Sequence, residues 1–266
     1  MQQESQGLPQ WGDDPLSAFM SSADFNIRAC ALNYPDVYEV QQRAHGLLAR
    51  IGEILEVDPR DAHLGVPRFL FIRSHAAVLA AMRLAMSGQG VEAQPVLRTA
   101  IEDAWYALHV ARDPGPPARA RMWWDRDISL QATQTCQAEF TAGNVRRTHE
   151  GLDAASAAAM HRLYQDTITL GGHPNERGVA SSLRIDRGLD AVRIGVGILH
   201  AGTVAQVAAL KRAVDVAIGI AKTVGLIYRE RFRIAGIGDE VDRLAQHSGD
   251  VFKKYAQMVA VQEPGK

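Results

Sequence analysis

Residues Pro67 to Arg112 run PRFLFIRSHAAVLAAMRLAMSGQGVEAQPVLRTAIEDAWYALHVAR. Phe, Leu, Ala and Met crowd the stretch up to Ser87, Gly88 and Gly90 interrupt it, and a second apolar run with helical spacing continues to Arg112. The glycines supply a turn, and Pro95 falls in the first turn of the second run, where a helix needs no amide hydrogen. The pattern predicts a central αα-hairpin, and with it a mainly α fold built as a helical bundle.

The flanks read the same way. Pro15 to Leu32 predicts a helix stopped by Asn33-Tyr34-Pro35. Asp36 to about Val57 predicts another, with Val37, Val40, Ala44, Leu47, Leu48 and Ile51 on one face and Asp58-Pro59 at its end. Downstream, Asp113-Pro114-Gly115-Pro116-Pro117 is the strongest breaker, so 113–117 is the one weak boundary in a single domain expected over 15–266. Helices are expected over Ala118 to Ala142 and over Asp153 to Leu170, the latter capped by Asp153 and closed by Gly171-Gly172. Short β-branched runs predict a small β-hairpin insertion near 179–199. A long helix over Leu199 to Arg233 follows, then one or two short helices over Asp239 to Val261, broken near Ser248-Gly249. The first 14 residues read as a disordered polar tail.

Among 266 residues, 47% are hydrophobic and 22% charged, an ordinary mixture for a packed domain. The net charge of −1 supplies no global field to draw the chain to nucleic acid or anionic lipid. The two cysteines, Cys30 and Cys136, have neither the number nor the spacing of a disulfide framework or a zinc knuckle, and a reducing cytoplasm is the simplest address. The N-terminus lacks the basic start and apolar core of a secretion signal. Ile194 to Tyr228 is the most membrane-like stretch, yet His200, Gln206, Lys211, Arg212, Asp215 and Lys222 interrupt it, so a buried helix is expected and no membrane span.

Charge placed on apolar helices marks the candidate site. Arg98 and Glu102, at i and i+4, share one face of the second hairpin helix, where they form either a structural ion pair or an anion-holding arginine oriented by its carboxylate. His173 follows the helix-ending Gly171-Gly172 and precedes Pro174 and Asn175, a loop that either presents an imidazole or braces itself with one. Arg73 and His75 lie on the first hairpin helix, and His109 near the end of the second. The ligand-binding candidates are therefore Arg98, Glu102, His173, Asn175, Arg73 and His75, and the expected partner is a small anionic ligand. Basic residues around Trp123-Trp124 are explained as well by a packed tryptophan under a solvated face as by nucleic-acid binding.

No Glu-x-x-His, His-Glu-x-x-His, Walker A, Gly-x-Ser-x-Gly or strand-borne Gly-x-Gly-x-x-Gly pattern occurs, so neither a metal site nor a cofactor is expected. The hairpin with Leu97-Arg98-Thr99-Ala100-Ile101-Glu102, the later Gly172-His173-Pro174-Asn175, and Tyr228-Arg229-Glu230-Arg231-Phe232 together resemble a group of bacterial helical domains of unknown function over roughly Phe69 to Phe232. Those domains are similar in turn to the HEPN superfamily, whose ribonuclease members carry an arginine and a following histidine on one helix. That resemblance implies Arg193 and His200 as a catalytic pair, although apolar Ile194 follows Arg193 where those enzymes place a polar residue. Three readings thus stand: a ligand-binding or regulatory module built on Arg98, Glu102 and His173; a metal-independent ribonuclease; and a homodimeric scaffold joined through the Leu199 to Arg233 helix.

Overall fold

The computed structural model describes residues 12–56, 61–172, 176, 183–187 and 192–262. Eleven α-helices account for most of them: α1 Pro15–Asn33, α2 Pro35–Ile54, α3 Ala62–Ser87, α4 Ala93–Ala111, α5 Ala118–Trp124, α6 Leu130–Glu139, α7 Ala142–Glu150, α8 Ala154–Thr167, α9 Val204–Ile227, α10 Arg229–Ala235 and α11 Ile237–Gln262. The chain is a mainly α helical bundle. A π turn, Ile168–Gly172, extends α8. Strand β1 (Leu183–Arg187) pairs antiparallel with β2 (Val192–Val196), Leu183 opposite Val196 and Arg187 opposite Val192. The rest of 179–191, and most of the polar tail, lie outside the described residues.

The α3–α4 hairpin is the centre. Gly88 closes α3 in the left-handed conformation (φ 95°), its amide donating to the Ala85 and Leu84 carbonyls, so the chain reverses within five residues. α9 packs against both hairpin helices and against α2, α8 and α11. One hydrophobic cluster runs from Cys30 to Phe252 and includes Leu97, Trp105, Phe140, Met160 and Leu210. It passes over the Asp113–Pro117 breaker, where Asp113 accepts from the Gly115 and Arg119 amides and fastens the turn between α4 and α5.

Several elements differ from the sequence expectation, each for a local reason. α3 begins at Ala62, five residues before Pro67, because Asp61 caps it by accepting from Leu64 N, and the proline is carried inside at the loss of one backbone bond. The helix expected over Ala118 to Ala142 divides, since Ser129 caps a new helix by accepting from Ala132 N. The helix expected over Leu199 to Arg233 starts only after the Thr203 cap and ends at Tyr228, whose hydroxyl donates to the Leu64 carbonyl. There Phe232 of α10 folds back onto α9, its ring atoms lying 3.0–3.1 Å from where a Cβ on Gly225 would stand. The break expected at Ser248-Gly249 is absent: α11 continues through it, held by the buried row Val241, Leu244, Val251 and Phe252.

Two further placements bear on the readings above. α9 is surrounded by the bundle, with Ala209, Leu210, Ala213, Val214, Val216, Ala217 and Ile220 in the core, so the apolar surface a twin would need along that helix is already buried. The described helix that is long and apolar enough to cross a membrane is His63–Ser87 within α3, the core hairpin helix, rather than the Ile194 to Tyr228 stretch.

Candidate functional site

α4 buries Leu97, Ala100, Ile101, Ala104 and Leu108 against the core, and this fixes where its polar side chains emerge. Gln94, Arg98 and Glu102 follow one another at four-residue spacing and so form a row along the helix. Arg98 donates from Nε to Glu102 Oε1 at 2.9 Å, and the same carboxylate oxygen accepts from the Tyr164 hydroxyl at 3.1 Å. The Arg98 guanidinium lies 5.3 Å from the centre of the Tyr164 ring, a cation–π contact. Glu102, with the Tyr164 hydroxyl adding to it, holds the Arg98 charge more firmly than usual, while burial pushes the Tyr164 phenol up. Both charged side chains remain about one-third exposed (31% and 34%), and among the described residues no second carboxylate reaches Arg98.

Behind this cluster Tyr164 packs on Trp105, ring centres 5.2 Å apart, and Trp105 Nε1 donates to His149 Nδ1 at 3.2 Å. His149 is completely buried, and since its Nδ1 accepts, the neutral ring carries its proton on Nε2, which has no hydrogen-bond partner. Burial therefore lowers the His149 pKa. His109 is likewise held low, first by burial and then by Arg119, although Glu139 works the other way. It contacts Thr148 Oγ1 at 2.7 Å and Glu139 Oε1 at 3.1 Å, and Arg119 Nε donates to that same oxygen at 2.7 Å, an array that ties the end of α4 to α5, α6 and α7.

These two histidines predict an acid limb to stability. Below about pH 6.5 the unfolded chain takes up protons that the folded state refuses, so the stability present above that pH is lost as pH falls toward the lowered folded values. Urea unfolding should give a lower midpoint at pH 5.5 than at pH 7.5. In His149→Gln the difference should narrow, and an unchanged difference would remove His149 from the account.

At the other end of the row, Gln94 is buried and donates from Nε2 to the Gly90 carbonyl at 2.6 Å, while its Oε1 accepts from Arg212 of α9 at 3.2 Å. Arg212 is pulled below its ordinary value by burial, with Asp166 and Asp215 near enough to favour its charge. Neither makes an ion pair with it: Asp215 pairs with Lys211 instead, and among the described residues Arg212 has no carboxylate within ion-pair distance. It lines a cavity of about 120 Å³ walled by Gly88, Gly90, Val91, Leu170, Ala205 and Ala208, with His200 and Gln206 as its other polar residues.

That cavity is fixed by close backbone approaches. A Cβ on Gly171 of the π turn would stand 2.4 Å from the Val91 carbonyl oxygen, so only glycine lets the turn lie on α4. The His200 amide donates to the Gly88 carbonyl at 2.8 Å. Gln206, buried in the first turn of α9, donates to the Met86 and Ala85 carbonyls at 2.9 and 3.2 Å and accepts from Gly202 N at 2.8 Å, so it is spent on structure.

Arg98 and Glu102 are brought together, with Tyr164 added. His173 and Asn175 lie outside the described residues, as does Pro174. Arg73 and His75 belong elsewhere: Arg73 reaches Asp103 at 3.4 Å and His75 meets His45 at 3.0 Å, so neither joins the Arg98 cluster. The helical face that would align Arg193 with His200 does not form, because Arg193 sits in β2 while His200 lies in the irregular segment before α9 with its Nε2 against the Gly197 carbonyl. Of the basic side chains near Trp123-Trp124, Arg119 pairs with Glu139 and Arg126 with Asp127, while among the described residues Arg121 has no carboxylate partner. Tyr164, Gln94 and Arg212 escaped the sequence reading, since nothing local links residues 62 and 118 positions apart. No family model, no curated protein and no solved structure matches the chain.

Proposed function

We propose that this protein is a helical binding module for a small anion, a carboxylate or phosphate group, received by Arg212 at the cavity between the α3–α4 turn, the π turn and the start of α9. The observation that carries the reading is a largely buried guanidinium, bordering a cavity, with no carboxylate within ion-pair distance among the described residues. A buried cation without a counter-ion costs stability, and a ligand oxyanion that supplied two charge-assisted hydrogen bonds would relieve it. The volume of about 120 Å³ has room for only a few heavy atoms, and apart from His200 and Gln206 the remaining lining side chains are apolar. Arg98, oriented by Glu102 and Tyr164, is a second cation on the same row of α4, one turn beyond Gln94.

Thermal unfolding with inorganic phosphate or acetate, at constant ionic strength and against chloride, tests this. Either anion at ten times its dissociation constant should raise the midpoint of the wild-type protein by about 3 °C. Arg212→Met, which keeps the packing volume and removes the charge, should abolish the rise. An equal rise in the variant, or none in the wild type with either anion, would sink the reading.

A further inference from the structure

His45 of α2 and His75 of α3 lie outside the anion site, and their ring nitrogens face each other. Nδ1 of His45 stands 3.0 Å from Nε2 of His75, with ring centres 5.2 Å apart and planes inclined by 40°. Gly46 and Ala44 flank His45, whose side chain is exposed, while His75 is half-buried with the Phe71 ring 6.3 Å away. No other hydrogen bond or ion pair occupies either ring among the described residues. Burial, and then the neighbouring His45, hold His75 toward its neutral, lone-pair-bearing form.

We propose that His45 and His75 form a cross-helix site for a divalent transition metal of the Cu²⁺ or Ni²⁺ type. The ligands decide the class of ion: imidazole nitrogen suits Cu²⁺ and Ni²⁺, and the affinity of such a site for divalent metals peaks at Cu²⁺. The hydrogen bond that now joins the rings holds the two nitrogens 3.0 Å apart, close enough that a small turn of the exposed His45 ring aims both lone pairs at one shared ion. Among the described residues no third histidine, cysteine, aspartate or glutamate joins the pair, so water fills the remaining positions and the ion is exchangeable, unlike a closed structural zinc.

The proton balance is simple. One ring now donates its N–H to the other; on binding, that ring shifts its proton to its second nitrogen, both lone pairs face the metal, and no proton leaves when both rings begin neutral. The ion then joins α2 to α3, two helices that otherwise meet through apolar contacts such as those around Phe71, which lies 3.7 Å from where a Cβ on Gly52 would stand.

Untagged full-length protein titrated with Cu²⁺ or Ni²⁺ in a calorimeter should bind one equivalent at this site, and the electron-spin-echo spectrum of the Cu²⁺ complex should show two coordinated imidazoles. His45→Ala and His75→Ala, each checked for unchanged helical circular dichroism, should weaken binding by about tenfold or more. A spectrum with a single imidazole overturns the proposal in the wild type, independently of whether either variant folds. Unchanged affinity in a folded variant overturns it as well.

Discussion

Gly88→Ala should cost about 3 kcal/mol or more of stability, read as a lowered urea midpoint with an unchanged slope. Two terms add. The residue holds φ at 95°, where an L side chain is strained by roughly 1 kcal/mol, and the new Cβ would stand 2.8 Å from the His200 nitrogen and 2.9 Å from that of Ala201. Both obstacles are backbone, so no rotamer change relieves them. Displacing that segment also disturbs the His200 to Gly88 bond and, through the neighbouring Thr203 cap, the approach of Gln206 to the end of α3. The variant should therefore lose anion binding with its stability. A loss below about 1 kcal/mol would show that the segment before α9 yields, and would remove the rigid rim from the account of the cavity.

Trp105→Ala should cost ~3–5 kcal/mol, the range for emptying a fully buried aromatic site. Trp105 is 1% exposed, and its loss takes away the hydrogen bond to His149 and the ring against which Tyr164 rests. Tyr164 in turn holds Glu102 and covers the face of Arg98, so damage in the core reaches the cation at the surface. Trp105→Phe separates the two effects. It keeps most of the packing but strands His149 Nδ1, so it should cost about 1–3 kcal/mol, and the Tyr164 ring should keep its aromatic neighbour. Equal losses in the two variants, by urea unfolding, would mean that the indole hydrogen bond rather than ring volume carries the stability.

The hairpin was legible because its signals are local. Pro95 near the start of α4, Gly88 at the end of α3 and the apolar period between them all act within a turn or two of helix. The cap at Asp153 belongs to the same class, accepting from the amide three residues on. The misread boundaries depend on partners far along the chain. Tyr228 ends α9 by bonding Leu64, 164 residues away, and α11 ignores Gly249 because its buried row continues on both sides. The site divides similarly. Arg98 with Glu102 could be read from their spacing, but that no carboxylate among the described residues lies within ion-pair distance of Arg212 is a property of several helices at once, and no spacing within α9 announces it.

The placement of Gln206 has a consequence for how the molecule assembles. The last carbonyls of α3 are satisfied by a side chain 120 residues later, reached only after α4 to α8 have been laid down. Contacts of such separation close large loops and form late. During folding the hairpin must wait with those acceptors turned to water, and the wall of the cavity nearest Gln206 is complete only when α9 docks. The cavity around Arg212 should thus be the last region to gain protection from amide exchange during refolding, behind the α3–α4 hairpin beside which it is built.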